Sequence, residues 1–370
     1  MPSEAASPAA VGKALVERAI ELRRGEELIV ASWTHTLPWA TACVAEARRR
    51  GARATLLLED ESTFWRSVEI APATKGWSGI PPSVRAALHE ADALIYFPGP
   101  ADQPRLRALP PTRGAPFHGV DDLWLTLCRK AEVRGVRCLL GYASDAQGDR
   151  WKIPGALWRS QMIRAIVDSD PRATGAAGAK AARTLTKGQE LRLTAPNGTD
   201  VRLRLRGRAP WIDDGRIGRE HRLHRPSVTT APGGTVVVAV DEASAQGTAI
   251  ADRPSFLSQG RVDGGQWDLT RGRLTEFWYT SGSEAFEIDF ANAPKGREIL
   301  GLFAIGLNAA LPPGVPQAED SAAGTVTLAI GGNAAYGGSN PCRFLSWLTI
   351  GEATVAVDGE PLVDRGELLA

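Results

Sequence analysis

The chain has 370 residues, of which 43 % are hydrophobic and 23 % are charged. This composition supports one large domain or about two average ones, and it excludes a disordered, collagen-like or coiled-coil chain. The formal net charge is +1, because 43 Lys and Arg balance 42 Asp and Glu. No global basic field is available for a nucleic-acid backbone or an anionic membrane surface, so we expect neither as a partner.

The first residues, MPSEAASPAA, lack the basic segment and the apolar core of a secretory signal. The longest mostly apolar run, residues 299–311, is interrupted by Gly301, Gly306 and Asn308. It falls short of the ~20 residues that a membrane-spanning helix needs. We therefore expect a cytoplasmic protein that has no membrane span.

Helical and strand patterns alternate over the first part of the chain. They predict helices over residues 11–22, 38–50, 82–89 and 121–134, and strands over 28–33, 54–58, 93–97 and 136–140. Such alternation is typical of a doubly wound parallel sheet with helices on both faces. We assign residues 1–185 to this α/β domain.

Strand patterns dominate the second part, which follows a small-residue helix predicted over 173–182. The turn Pro196-Asn197-Gly198 separates two predicted strands and favours a hairpin, because Asn-Gly readily adopts positive φ angles. The predicted strands cover 190–194, 200–205, 235–240, 274–279, 285–290, 325–330, 344–350 and 354–357, and one helix is predicted over 294–310. We assign residues 186–370 to a mainly antiparallel β domain.

The only clustered histidines are His221 and His224, with Asp213 and Asp214 close upstream. This spacing suggests a metal site or an acid/base pair. Three arginines at positions 219, 222 and 225 crowd the same segment, and local positive charge disfavours a divalent ion. The competing interpretation is an exposed polar loop that contacts a ligand.

The second part carries five landmarks in chain order: Asn197-Gly198-Thr199-Asp200, Ala231-Pro232-Gly233-Gly234, Ile299-Leu300-Gly301 through Gly306 and Asn308, Gly324-Thr325 with Ala329 and Gly331, and Val357-Asp358-Gly359. These landmarks resemble those of the aminopeptidase T-type metallopeptidases of the M29 family. Their shared order, with an α/β first half of the expected size, extends the resemblance over nearly the whole chain. The resemblance implies an M29-like fold.

The positions that hold two metal ions in that family differ in this chain. The resemblance places Thr235 and Leu302 where the family has glutamates, Thr327 where it has a histidine, and Ser346-Trp347-Leu348 where it has a His-x-Asp pair. Only a tyrosine is retained, as Tyr336. Divalent ions need anionic or imidazole donors, so we expect no metal and no other cofactor. The same loss weakens a similarity to iron dioxygenases of the dihydroxypyridine type.

A peptidase-shaped cleft without metal can still bind a peptide. The chain is similar to the peptide-binding proteins of crocagin-type ribosomal-peptide biosynthesis, which implies a precursor peptide as partner, with pathway modifying enzymes as further partners. The family resemblance also implies a homodimer. The expected cleft residues are Thr235, Trp278, Tyr279, Leu302, Thr327, Tyr336 and Trp347, and Trp211 lies in a segment near them.

Two alternatives remain open at this point. The first is a metal-independent cyclase for the same peptide, with His221, His224 and Glu276 as candidate catalytic residues and with Asp213, Asp214 and Tyr336 nearby. The second is an M29-type aminopeptidase with a rearranged metal site. That alternative predicts a tightly bound divalent ion.

Overall fold

The computed structural model describes residues 7–70, 80–109, 120–218 and 228–369. Its contacts divide the chain into two compact units. The first unit consists of Met1–Pro171 and Gly215–Gly233, and the second consists of Arg172–Asp214 and Gly234–Ala370. Within the described ranges, no helix combines the length and the apolar composition needed to cross a membrane.

The first unit is built on a five-stranded parallel sheet, called sheet A, with the order β2-β1-β3-β4-β8. Its strands are β1 (Glu27–Trp33), β2 (Arg53–Glu59), β3 (Ala93–Tyr96), β4 (Arg134–Cys138) and β8 (Val228–Ala231). The helices are α1 (Pro8–Lys13, continued by π-helical Ala14–Ala19), α2 (Leu37–Arg49), α3 (Glu61–Ile70), α4 (Pro82–His89), α5 (Gln103–Arg107), α6 (Val120–Ala131), α7 (Asp145–Trp151) and α8 (Gly155–Asp168).

Sheet A confirms the predicted parallel α/β architecture, with strands close to their predicted bounds. The central strand β1 is buried from Leu28 to Ser32, as expected for a strand covered on both faces. Strand β8 was not predicted. It comes from the middle of the chain and pairs in parallel with β4, for example Thr229 with Val136.

The second unit contains two antiparallel sheets, in agreement with the predicted β-rich fold. Sheet B has eight strands in the order β14-β13-β10-β6-β5-β18-β19-β20, and sheet C has five in the order β17-β16-β15-β9-β7.

The strands of sheet B are β5 (Glu190–Thr194), β6 (Asp200–Arg204), β10 (Gln246–Ile250), β13 (Gln266–Thr270), β14 (Arg273–Trp278), β18 (Thr354–Val357), β19 (Glu360–Asp364) and β20 (Glu367–Leu368). Those of sheet C are β7 (Trp211–Asp213), β9 (Thr235–Ala239), β15 (Leu300–Gly306), β16 (Val326–Gly331) and β17 (Leu345–Ile350). A small hairpin joins β11 (Ser255–Phe256) to β12 (Arg261–Val262), and the helices are α9 (Pro171–Lys187) and α10 (Ser283–Asn292).

Two of the predicted elements are wrong. The predicted strand over 285–290 lies inside helix α10, where Phe286 and Phe290 are four residues apart on one helical face. Both rings pack against Phe277 of β14, at centroid distances of 4.7 and 5.8 Å. The apparent alternation of apolar and polar residues is therefore overridden by this aromatic packing.

The predicted helix over 294–310 contains instead the buried strand β15, which lies between β9 and β16. Every residue of β15 is buried. A short apolar run that is buried on all sides carries no periodicity that separates a strand from a helix. The neighbouring strands decide the conformation here.

Sheet C has two different faces because side chains alternate along each strand. One face, called the core face, joins the inner side of sheet B in a single hydrophobic core that includes Val236, Val238, Phe303, Ile305 and Leu328. The opposite face, called the second face, carries a separate small cluster of Val237, Ala239, Leu302, Ala304 and Ala329.

Candidate functional site

Four positions that the family resemblance assigns to metal ligands, Thr235, Leu302, Thr327 and Tyr336, come together with Trp347 on the second face of sheet C. Ser346 and Leu348, which the resemblance places at the His and Asp of the His-x-Asp pair, alternate with Trp347 along β17, and Leu348 belongs to the core face. In the register of the strands, Ala304 pairs with Thr327, and Ala329 lies between Leu302 and Trp347. Thr235 pairs with Gly306 on one side and with Asp213 on the other. Tyr336 and Trp347 pack against the small cluster of this face.

These five residues differ in accessibility. Leu302 and Thr327 are fully buried, and Thr235 is 7 % exposed. Tyr336 and Trp347 are partly exposed. The floor of the second face is thus formed by small or neutral buried side chains, and aromatic rings provide its accessible surface.

The hydroxyls of the two candidate threonines, Thr235 and Thr327, already have partners. The hydroxyls of Thr327 and Thr349 are 3.1 Å apart and fully buried. The hydroxyl of Thr235 donates to the backbone carbonyl of Asp320 at 3.0 Å, with the carbonyl of Ile305 at 3.4 Å. Both hydroxyls therefore serve the internal structure of the unit.

This donor set does not fit the two metal ions of the family. Leu302 has no donor atom, and a hydroxyl that is already hydrogen-bonded is a poor substitute for an anionic ligand. Across the described part of the chain, no three His, Cys, Asp or Glu side chains are grouped so that they could hold a metal ion.

Trp211 adds a third aromatic ring to the second face. It lies on β7 opposite Val237, and its ring contacts that of Tyr336 edge to face, with centroids 6.1 Å apart and an interplanar angle of 76°. Trp211 is partly exposed. Trp211, Tyr336 and Trp347 thus present aromatic surface at the same face.

Carboxylates lie close to Tyr336. Burial, and then the negative charges of Asp320 and Asp213, raise the pKa of the Tyr336 hydroxyl to about 12. Burial also raises the pKa of Asp320, and the charge of Asp213 contributes in the same direction. Tyr336 is therefore a neutral hydrogen-bond donor at physiological pH.

Glu319, next to Asp320, has a strongly perturbed carboxyl group. Burial raises its pKa to about 8, and the charge of Asp320 adds to this shift. Sequence reasoning found Asp213 but missed Glu319 and Asp320. These two lie in a connection rich in turns between β15 and β16, where no periodic pattern marks functional residues.

Three of the other candidates lie elsewhere in the second unit. Glu276 and Trp278 belong to β14 at the edge of sheet B, and Tyr279 follows this strand directly. Tyr279 is a core residue whose hydroxyl accepts a hydrogen bond from Trp267 Nε1 at 3.0 Å, and burial raises its pKa. Glu276 and Trp278 are exposed. His221 and His224 lie outside the described residues.

Comparisons with known proteins support an M29-like fold. Aminopeptidase AmpT from Thermus thermophilus matches with a TM-score of 0.73 and 19 % sequence identity, over 98 % of this chain and 99 % of that one. A 2,5-dihydroxypyridine dioxygenase from Pseudomonas putida KT2440 matches with a TM-score of 0.65 and 13 % identity, over 100 % of this chain and 99 % of that one. At these identities, the two structures show a shared fold.

A comparison with curated protein sequences gives no significant match. The family model described as thermophilic metalloprotease (M29) matches residues 9–310, which is more than half of the chain. On this basis, the chain belongs to the thermophilic metalloprotease (M29) family.

Proposed function

We propose that this member of the M29 family is a metal-free protein that binds a peptide on the second face of sheet C. One observation carries the proposal. Three positions that resemble metal ligands, Thr235, Leu302 and Thr327, lie on one face, and each now carries a neutral side chain. Such a face can still bind a peptide, but the residues at these positions lack the charge needed to hold two divalent ions.

The properties of this face suit an apolar or aromatic side chain of the ligand. The partly exposed rings of Trp211, Tyr336 and Trp347 offer large rigid contact areas at low cost in conformational entropy. The buried residues beneath these rings include the small side chains of Ala239, Ala304 and Ala329. The carboxylates of Asp213 and Asp320, which act on the pKa of Tyr336, are acceptors for N–H groups of a peptide.

The proposed ligand is a precursor peptide of a ribosomal natural-product pathway, following the similarity to crocagin-type peptide-binding proteins. In this proposal the protein acts in the cytoplasm as a homodimer and presents the peptide to modifying enzymes. It needs no cofactor.

A second candidate function is a metal-independent cyclase that acts on the same peptide. The observation that favours it is Glu319, because a carboxyl group with a pKa of about 8 exchanges protons near neutral pH. Glu319 adjoins Asp320, whose charge acts on Tyr336 of the second face. In this case Glu319 would be the general base, instead of the histidines or Glu276.

Calorimetric titration with a candidate precursor peptide tests the proposal. We expect saturable binding that Trp347→Ala weakens by about tenfold or more, since a central aromatic anchor often contributes ~2 kcal/mol or more. The matched control is Ile288→Ala, which shortens an exposed apolar side chain on α10. Absence of heat at high peptide concentration would contradict the proposal.

Two further measurements separate the alternatives. Conversion of the peptide by the unchanged protein, lost in Glu319→Gln while binding persists, would favour the cyclase. Stoichiometric zinc in elemental analysis, together with chelator-sensitive hydrolysis of leucine 4-nitroanilide, would instead support an M29-type aminopeptidase with a rearranged metal site.

A further inference from the structure

Strand β14 forms one edge of sheet B, and part of this edge is open. On the inner side, β14 pairs with β13. On the outer side, the N–H of Leu274 donates to the carbonyl of Glu298 at 2.7 Å, which covers the beginning of the strand. Around Phe277, the described residues supply no strand and no backbone hydrogen bond on that outer side.

The hydrogen-bond pattern indicates which backbone groups point outward. Gly265 accepts the N–H of Ala251 at 2.7 Å, so Gly265 bonds toward β10. Because the bonding direction alternates along an antiparallel strand, the next residue, Gln266, bonds toward its partner Trp278 on β14. Phe277, adjacent to Trp278, therefore directs its own N–H and C=O to the open side.

The edge strand is anchored to the aromatic core through Phe277. The ring of Phe277 faces the aromatic core, 4.7 Å from Phe286 and 5.8 Å from Phe290 between centroids. Glu276 and Trp278 face the opposite way and are exposed, with Trp278 exposed to 58 %. The edge is thus an ordered strand whose outer groups are available.

The exposed face of this edge is negatively charged. Glu276 lies directly opposite Asp268 of β13, and like charges in such a pair destabilise a sheet. Asp268 accepts hydrogen bonds from the Thr248 hydroxyl at 2.6 Å and from the Gln266 amide at 3.4 Å. Among the described residues, neither carboxylate has a Lys or Arg partner within ion-pair distance.

We propose that the open edge of β14 is a docking site for an extended basic segment of another polypeptide, which adds to sheet B as a further strand. The N–H and C=O of Phe277 bond to the backbone of the added strand. Alternate lysine or arginine side chains of that strand meet the carboxylates of Glu276 and Asp268 and the ring of Trp278. A cation over an exposed indole is attracted electrostatically.

A second copy of this chain fits the edge less well. Its own β14 would bring another Glu276 to a face that already carries two carboxylates. The docking site also shares no residue with the second face of sheet C, so it is independent of the proposed function, and either proposal can fail alone.

The test uses the full-length protein and a short, end-blocked peptide in which lysine alternates with valine. A matched peptide has glutamate in place of lysine. We expect the lysine peptide to bind about tenfold tighter or more, because it pairs with the carboxylates and with the indole. It should also protect the Phe277 amide from hydrogen exchange.

Two variants and one control locate the binding. Glu276→Lys should abolish binding of the lysine peptide, and Trp278→Ala should weaken it by about fivefold. Glu287→Lys makes the same charge change at an exposed position of α10 and should bind like the unchanged protein.

Three outcomes would overturn the proposal. They are equal binding of the two peptides, equal loss in Glu276→Lys and Glu287→Lys, and a Phe277 amide that stays unprotected at saturating peptide. Protection that appears without peptide as the protein dimerises would assign the edge to a second copy and would also overturn it. Hydrogen exchange at the Phe277 amide is measured on the unchanged protein, so this test remains valid even if a substitution impairs folding.

Discussion

The two faces of sheet C are built from the same strands but differ in what they carry. On the core face, large side chains such as Phe303 and Ile305 join sheet B in one continuous core. On the second face, the neighbouring positions Leu302 and Ala304 belong to a small separate cluster bordered by Tyr336 and Trp347. The difference indicates that the core face contributes most of the hydrophobic packing of the unit, whereas the second face carries a smaller cluster with aromatic rings at its border.

The largest expected effect is on the core face. Phe303→Ala should lower the free energy of unfolding by about 4 kcal/mol, because it removes a fully buried ring and leaves a cavity. Denaturant unfolding of the purified protein measures this change. Ala304→Gly, one position along on the other face, is the control, and an equal loss there would contradict the contrast between the faces.

Leu302→Glu tests whether the second face can accept a carboxylate again. Leu302 is fully buried in the small cluster, so the new group should lower the free energy of unfolding by about 3 kcal/mol at neutral pH. The loss should shrink on acidification, as the carboxyl group becomes neutral. Leu302→Met controls for shape.

The same variant bears on metal binding, and added zinc should not restore its stability. Full recovery with zinc would show that other ligands converge at this position and would contradict the metal-free interpretation.

Glu319→Gln should stabilise the protein in a pH-dependent way. The pKa of Glu319 is about 8 when folded, against an ordinary value of 4.5, so the unfolded chain loses its proton first as the pH rises. The native protein therefore loses stability between these two values, and the amide removes the penalty. We expect a gain of about 2 kcal/mol at about pH 9, since partial contact with water reduces the full effect, and little change at about pH 5.

Thermal unfolding over this pH range measures the effect of Glu319→Gln. Glu287→Gln, an exposed carboxylate of α10, is the matched control. A pH-independent difference between Glu319→Gln and the unchanged protein would contradict the raised pKa.

The smallest expected effect concerns the buried hydroxyl pair of the second face. Thr327→Val should cost about 1 kcal/mol, because the Thr349 hydroxyl loses its side-chain partner. The double variant Thr327→Val, Thr349→Val should be close to neutral, since no hydroxyl is then left unpaired. A double-mutant cycle by denaturant unfolding checks this, and additive losses would argue against the pair.

Much of the architecture follows from local sequence patterns. The hairpin at Asn197-Gly198 forms between β5 and β6 as predicted, and Gly198 adopts the positive φ angle, 99°, that the turn requires. The pattern failed at Phe286 and Phe290, where alternation suggested a strand but packing of the rings favours helix α10. It also failed for β15, since full burial removes the periodic signal.

Of the predicted cleft residues, five share one face of sheet C: Thr235, Leu302, Thr327, Tyr336 and Trp347. Their role in binding stays a prediction. The sequence does not indicate that Trp278 and Tyr279 lie away from these five residues. The pattern of β14 shows a strand with one exposed face, but it does not show to which sheet the strand belongs.

By itself, the sequence determined the fold class and the neutral residue types at Thr235, Leu302 and Thr327, because residue type and periodicity are local properties. Only the tertiary structure decided that β8 joins the parallel sheet, that the charge of Asp320 acts on Tyr336, and that Phe277 faces an open edge. These relations join segments far apart in the chain. They depend on strand order and register, which local preferences do not encode.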